Sequence, residues 1–294
     1  MLATPSTPGH RRRGLRIRVG LTVLALVTTA CSGTSGSGSN GDGPAQATTT
    51  TVVALQPLEQ PASRCGTATT KAILVRFQAA DGTSLNGVLV GRGSVGVVLA
   101  HQYPSDLCGF WPFATYLAKR GLRALAIDLR CFGRSACPEG DARGRVVEDL
   151  DAAAAELRRR GVTRVALVGA SMGGAAVLIA GTKLQPPVAA VVSLSGEADP
   201  TNLVGGIPLH AGAVVDQLTV PTMFVVATND RYASVKETRA MYRAVKSDAK
   251  RLEVLSGDFD GGHGWALLKN PATGEEFGPV AAKVAAFLTA HTRG

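Results

Sequence analysis

The sequence predicts an α/β fold: a mostly parallel sheet with helices on both faces. Two observations carry this reading. From residue 95 onward, short apolar runs alternate with stretches of helical patterning, and a glycine-flanked serine stands where one such run gives way to an Ala-rich stretch. An opening hairpin comes first, with residues 72–78 and 84–92 alternating in polarity around Ala80-Asp81-Gly82-Thr83. Strands are then expected at 95–100, 123–128, 164–168, 188–194, 222–227 and 251–255. Helices are expected at 111–120, 146–160, 174–184, 235–245 and 280–290. In such a sheet the chemistry gathers at the carboxyl ends of the strands.

Gly169-Ala170-Ser171-Met172-Gly173-Gly174 has an apolar strand before it and a helical stretch after it. That order of strand, sharp turn and helix is a nucleophile elbow, in which small residues let strand and helix approach around a strained serine. A serine hydroxyl is a poor nucleophile at neutral pH and needs a base and an orienting acid. Asp230 ends the apolar run 222–227 in a polar turn, and His263 sits in Gly261-Gly262-His263-Gly264-Trp265, where glycines free the loop to bring an imidazole over the serine. The expected triad is therefore Ser171, His263 and Asp230. Asp199, after the preceding strand, is the competing acid.

Acyl transfer also needs two N–H donors for the oxyanion. Met172, at the helix start, is one. The other is expected after the strand 95–100, in His101-Gln102-Tyr103-Pro104. With these residues the chain resembles the α/β-hydrolase superfamily, and within it the small esterases, perhydrolase-type enzymes and dienelactone hydrolases. In those relatives the strand ends His-Gly-aromatic-Pro, which implies Tyr103 as the second donor. Gln102 stands where the family has glycine, leaving Tyr103 and Gln102 both open. Asp128-Leu129-Arg130-Cys131-Phe132-Gly133-Arg134-Ser135 resembles the family's Asp-x-Arg-Gly loop, with Cys131 in place of the glycine. The resemblance runs from about Lys71 to the C-terminus. It implies a serine hydrolase acting on an ester or thioester without metal or organic cofactor, and it leaves the substrate open.

The N-terminus reads as targeting. Arg11, Arg12, Arg13, Arg16 and Arg18 precede a short apolar stretch, 19–30, that closes on Thr28-Thr29-Ala30-Cys31. This resembles a bacterial lipoprotein signal over 1–30, with Cys31 lipidated and the protein held at the outer face of the cell membrane. Residues 31–63, rich in Ser, Gly, Thr and Pro, are expected to be a disordered tether with a reach on the order of 30 Å. Residues 64–294 then form the catalytic domain. Five of the 31 Lys and Arg residues leave with the signal, so 26 remain against 22 acidic residues, a net charge of +4. The basic pI is thus largely a targeting effect, and nucleic acid is not an expected partner.

Cys65, Cys108, Cys131 and Cys137 remain after Cys31, an even count that favours disulfides in an oxidising compartment. Three connectivities are open, and the one expected is Cys131 with Cys137 and Cys65 with Cys108. No ligand-spaced pair supports zinc. Bland readings suit the other polar residues: Asp128 bonding its own loop, His101 structural in the oxyanion turn, His210 on the surface, and Asp258 and Asp260 shaping the loop of His263. Phe110 and Trp111 either line a pocket or fill the core. The segment 196–218, where relatives insert a cap, is short, which favours small or exposed acyl groups and allows a small-molecule or lipid ester. The rival class is a non-catalytic hydrolase-fold lipoprotein that binds a ligand or an envelope partner. Oligomeric state is not legible in the sequence.

Overall fold

A computed structural model describes residues 65, 72–199, 207–256, 262–270, 273–274 and 276–292. The expected signal, the tether, Cys31, Asp258 and Asp260 lie outside these residues.

The chain builds one eight-stranded sheet in the order β1-β2-β4-β3-β5-β6-β7-β8. Its strands are β1 (Ala72–Gln78), β2 (Ser84–Val90), β3 (Val95–Ala100), β4 (Arg123–Asp128), β5 (Arg164–Ala170), β6 (Ala190–Leu194), β7 (Thr222–Ala227) and β8 (Lys250–Leu255). β1 and β2 form the opening hairpin, β2 runs antiparallel to β4, and every pairing from β4 through β8 is parallel. Central strands such as β3 (VGVVLA) and β6 (AVVSL) are almost continuously buried, because helices cover both faces of the parallel region. The edges differ. β1 alternates in burial and β8 carries Lys250, Arg251 and Glu253, charges that discourage another strand from pairing there.

The helices are α1 (Trp111–Ala118), α2 (Val146–Arg159), α3 (Met172–Lys183), α4 (Val235–Ala244) and α5 (Pro279–Thr292). α2, α3 and α4 pack on one face around Leu150, Leu157, Leu178 and Met241. α1 and α5 pack on the other around Phe113, Leu117, Val284 and Leu288. Local sequence sets their starts. Pro112 occupies the first turn of α1, where its missing N–H costs nothing, and Ser234 caps α4 by accepting the Glu237 N–H at 3.1 Å.

The boundaries depart from the sequence reading mainly at the elbow. β5 continues to Ala170 and α3 already begins at Met172, so the turn is the single residue Ser171. Gly169 and Gly173 make that possible. A Cβ on Gly169 would overlap the Gly173 carbonyl, and one on Gly173 would overlap the carbonyl of Ala100 at the end of β3. Residues 207–218 hold two short 3-10 turns, Ala211–Ala213 and Val215–Gln217.

Candidate active site

Ser171 has φ 50 and ψ −114, a region that L-residues avoid, and its side chain lies at the carboxyl end of β5. The backbone is held from both sides. The Ser171 N–H donates to Leu194 O at 2.8 Å, and the Ser171 carbonyl accepts from Ala175 N–H at 2.9 Å as the first bond of α3. Met172, Gly173 and Gly174 are the first residues of that helix, so their N–H groups have no acceptor within it and carry the positive end of its dipole.

His263 and Asp230 meet directly. The Nδ1–H of His263 donates to both carboxylate oxygens of Asp230, at 2.9 and 3.0 Å. That bond fixes the tautomer and leaves Nε2 as the basic nitrogen. The Asp230 side chain is fully buried and that of His263 is 12% exposed, so the pair is shielded while the imidazole keeps one open side. Burial pulls the Asp230 carboxyl upward, but hydrogen bonds from His263, from the Ser195 hydroxyl and from the N–H groups of Tyr232 and Ala233 outweigh it. The net effect holds the carboxyl below its ordinary value, and it stays ionised.

The loop that carries His263 is shaped by glycine. Gly262 (φ 40) and Gly264 (φ 60) flank the histidine in conformations that other residues avoid. A Cβ built on Gly264 would lie 3.5 Å from that of Ala170, so the histidine loop packs against the residue just before Ser171. The Gly264 N–H donates to Ser195 Oγ at 2.9 Å, and the Trp265 N–H donates to Gln102 Oε1 at 3.2 Å. Behind them, the Trp265 ring fills the space over Gly109 and meets Phe110 edge-on at 5.6 Å.

The neighbouring loops are tied by buried polar groups. His101 donates from Nδ1 to Gln102 O at 2.9 Å and accepts from the Leu129 N–H at 3.1 Å, which ties the turn after β3 to the end of β4. Asp128 accepts from Arg134 N–H at 2.8 Å in its own loop and from Leu107 N–H at 3.0 Å in the next. Arg130, fully buried, grips Asp149 through Nε at 2.8 Å and Asp81 through a terminal nitrogen at 2.8 Å. Disulfides Cys65–Cys108 and Cys131–Cys137 staple the same rim.

Other singled-out residues stand apart. Asp199 pairs with His210 at 2.7 Å, with both side chains more than half exposed. Phe110 and Trp111 are buried in the core. Tyr103 is half-buried and packs against Phe132, in the turn that abuts Gly173. Among the described residues no group of three or more His, Cys, Asp or Glu side chains could hold a metal ion.

A family model described as serine aminopeptidase, S33, matches residues 94–213. No curated protein sequence matches the chain. An esterase of Pyrococcus furiosus superposes with a TM-score of 0.62 at 18% identity, over 76% of this chain and 94% of its own. The chain has the α/β-hydrolase fold. A thermophilic esterase of Thermogutta terrifontis shares it (TM-score 0.59, 18% identity, 75% and 99% coverage), as does an enol-lactonase of Burkholderia xenovorans (0.55, 18%, 72% and 99%). The family match spans less than half of the chain, and the neighbours share its fold at 18% identity.

Three groups in this α/β-hydrolase fold escaped the sequence reading. Burial raises the Glu197 carboxyl, the nearby Asp230 and Glu237 carboxylates add to the effect, and His263 opposes it. Glu197 therefore stands near the His263–Asp230 pair, two residues past Ser195. Only its place after a strand's carboxyl end could have marked it. Ser195 and the Gln102 side chain also contribute, and the one available signal was Gln102 itself, a large residue where the family's pattern has glycine.

Proposed function

We propose that the protein is a serine hydrolase that cleaves an ester or thioester of a small or exposed acyl group through an acyl-enzyme on Ser171. The observation that carries this is the ionised, buried Asp230 bonded to His263, on a loop packed against the residue before the strained serine. His263 Nε2 takes the Ser171 proton as Oγ attacks the carbonyl carbon, and Asp230 stabilises the imidazolium that forms. The Met172 N–H, with the N–H of Tyr103 or Gln102, receives the oxyanion. The tetrahedral intermediate collapses, His263 protonates the leaving alcohol or thiol, and water activated by the same imidazole releases the acid and regenerates Ser171.

The esterase and lactonase neighbours support ester chemistry, and the short 3-10 turns of 207–218 support an open site. Export and a lipid anchor on Cys31 complete the proposal. Two disulfides support an oxidising compartment, and the basic-then-apolar leader supports the anchor. Mass spectrometry after fluorophosphonate treatment tests the chemistry: an adduct on Ser171, lost in Ser171→Ala, is expected. Unchanged labelling of Ser171→Ala would overturn the assignment, and no labelling of the wild type would favour a ligand-binding lipoprotein.

A further inference from the structure

Among the described residues three non-glycine residues adopt positive φ: Cys131 (67), Ser171 (50) and Ser195 (51). Glycine would take such backbone without strain, so a side chain kept there has a reason to be there. For Cys131 the reason is the bond to Cys137. For Ser171 it is the proposed nucleophile. Ser195, just beyond β6 and 1% exposed, is the third.

Its hydroxyl lies between two loops. It accepts the Gly264 N–H at 2.9 Å and hydrogen-bonds the Asp230 carboxylate. One hydroxyl can do both, since it has one proton to give and lone pairs to receive. The acid and the residue after the base are therefore joined by a second route besides the His263–Asp230 bond. The next N–H, of Trp265, is held by Gln102 Oε1 at 3.2 Å, from the turn after β3. Gly264 and Trp265 open the 3-10 turn Gly264–Leu268, and His263 at its N-cap makes no side-chain capping bond, so Ser195 and Gln102 provide what the turn lacks.

We propose that Ser195 is a positioning residue for the His263–Asp230 pair, and that with Gln102 it forms a two-point clamp holding the histidine loop between the end of β6 and the oxyanion turn. This rests on the reading of Ser171, His263 and Asp230 as the catalytic groups. The clamp also accounts for the large residue at position 102: a Cβ on Gly264 would overlap Gln102 Oε1, so the side-chain amide occupies the space that glycine at 264 leaves.

The test compares wild type, Ser195→Gly, Gln102→Leu and the double variant in hydrolysis of p-nitrophenyl acetate across pH, with thermal melting alongside. Ser195→Gly removes the hydroxyl and relieves the backbone, so fold and melting temperature are expected to hold. A hydrogen bond to a charged group is worth roughly 10- to 100-fold, and kcat/KM is expected to fall by that order. The acid limb of the kcat/KM profile is expected to move to higher pH. An Asp230 carboxylate that loses a donor keeps more charge toward the imidazole and favours the imidazolium. Among the described residues Glu197 and Tyr232 also stand near His263, and both are unchanged in the variants.

Because both side chains hold one turn, the double variant should lose less than the product of the single losses. A kcat/KM within about twofold of wild type in Ser195→Gly, an acid limb that stays or moves to lower pH, or fully multiplicative losses would each overturn the proposal. If Ser195→Gly does not fold, Gln102→Leu alone decides: unchanged turnover overturns the clamp. Ser171→Ala separates the levels. Wild-type turnover that does not depend on Ser171 removes the underlying reading and the clamp with it, whereas intact turnover in Ser195→Gly removes only the clamp.

Discussion

Gly173 lies against Ala100: a Cβ on the first residue after Met172 in α3 would run into the carbonyl oxygen at the end of β3. The elbow and the turn expected to supply an oxyanion donor are thereby pressed together, with no room for adjustment by a flexible side chain. Gly173→Ala must separate them. Overpacking of this kind costs about 1 to 3 kcal/mol, and misplacing reacting groups by an ångström can cost on the order of 100-fold in rate. The expected outcome is a folded but less stable protein with turnover reduced by that order, checked by denaturant unfolding and p-nitrophenyl acetate hydrolysis. A variant with wild-type turnover would show that the close approach has no catalytic consequence.

Asp230→Asn should approach the loss seen in Ser171→Ala, on the order of 10⁴ in turnover, because the amide no longer fixes the imidazole tautomer or its cation. Asp199 pairs with the exposed His210 instead. Asp199→Asn is therefore expected to stay near wild type on the same ester. The reverse result would transfer the role of acid to the loop after β6.

Asp81 gives a pH prediction with a defined sign. Burial would raise its carboxyl, but hydrogen bonds from Thr83 and Arg130 hold it at about 2, below the ordinary 3.8. A depressed carboxylate stabilises the fold above its unfolded value, and the contribution is lost as pH falls through the folded one. The melting-temperature gap between wild type and Asp81→Asn should be widest above about pH 4 and shrink toward pH 2. A gap that is constant over that range would mean the Asp81 charge is not involved.

The Cys65–Cys108 bridge spans 43 residues of sequence, for which chain-entropy arguments give about 4 kcal/mol. Cys131–Cys137, spanning 6, should contribute less, about 2 kcal/mol. Replacing Cys65 and Cys108 by serine is thus expected to lower the melting temperature more than replacing Cys131 and Cys137. Thiol titration of the denatured, unreduced protein should find the four cysteines blocked, and four reactive thiols would refute both bridges.

The α/β class, the opening hairpin and the order of the strands were legible because each is local: apolar runs bounded by turn residues declare themselves within a few positions. The pattern around Ser171 was legible for the same reason, since glycines on both sides of a serine between strand and helix serve one kind of turn. Beyond the His263–Asp230 pair and the two cysteine bridges, which known chemistry called for, the sequence could not state which distant groups meet. Ser195 reads as an ordinary strand-end serine until the sheet brings β6 beside β7 and the Gly264 turn over both. Gln102 reads as a departure from a family pattern until its amide is found holding a turn 163 residues away. Arg130 reads as part of a family-like loop with no partner named until the core closes over it and Asp149, at 0% exposure for both. Periodicity and turn chemistry act between neighbours along the chain and determine the elements. The partner of a buried polar group is chosen only when packing removes water from it, and tertiary structure alone decided that choice here.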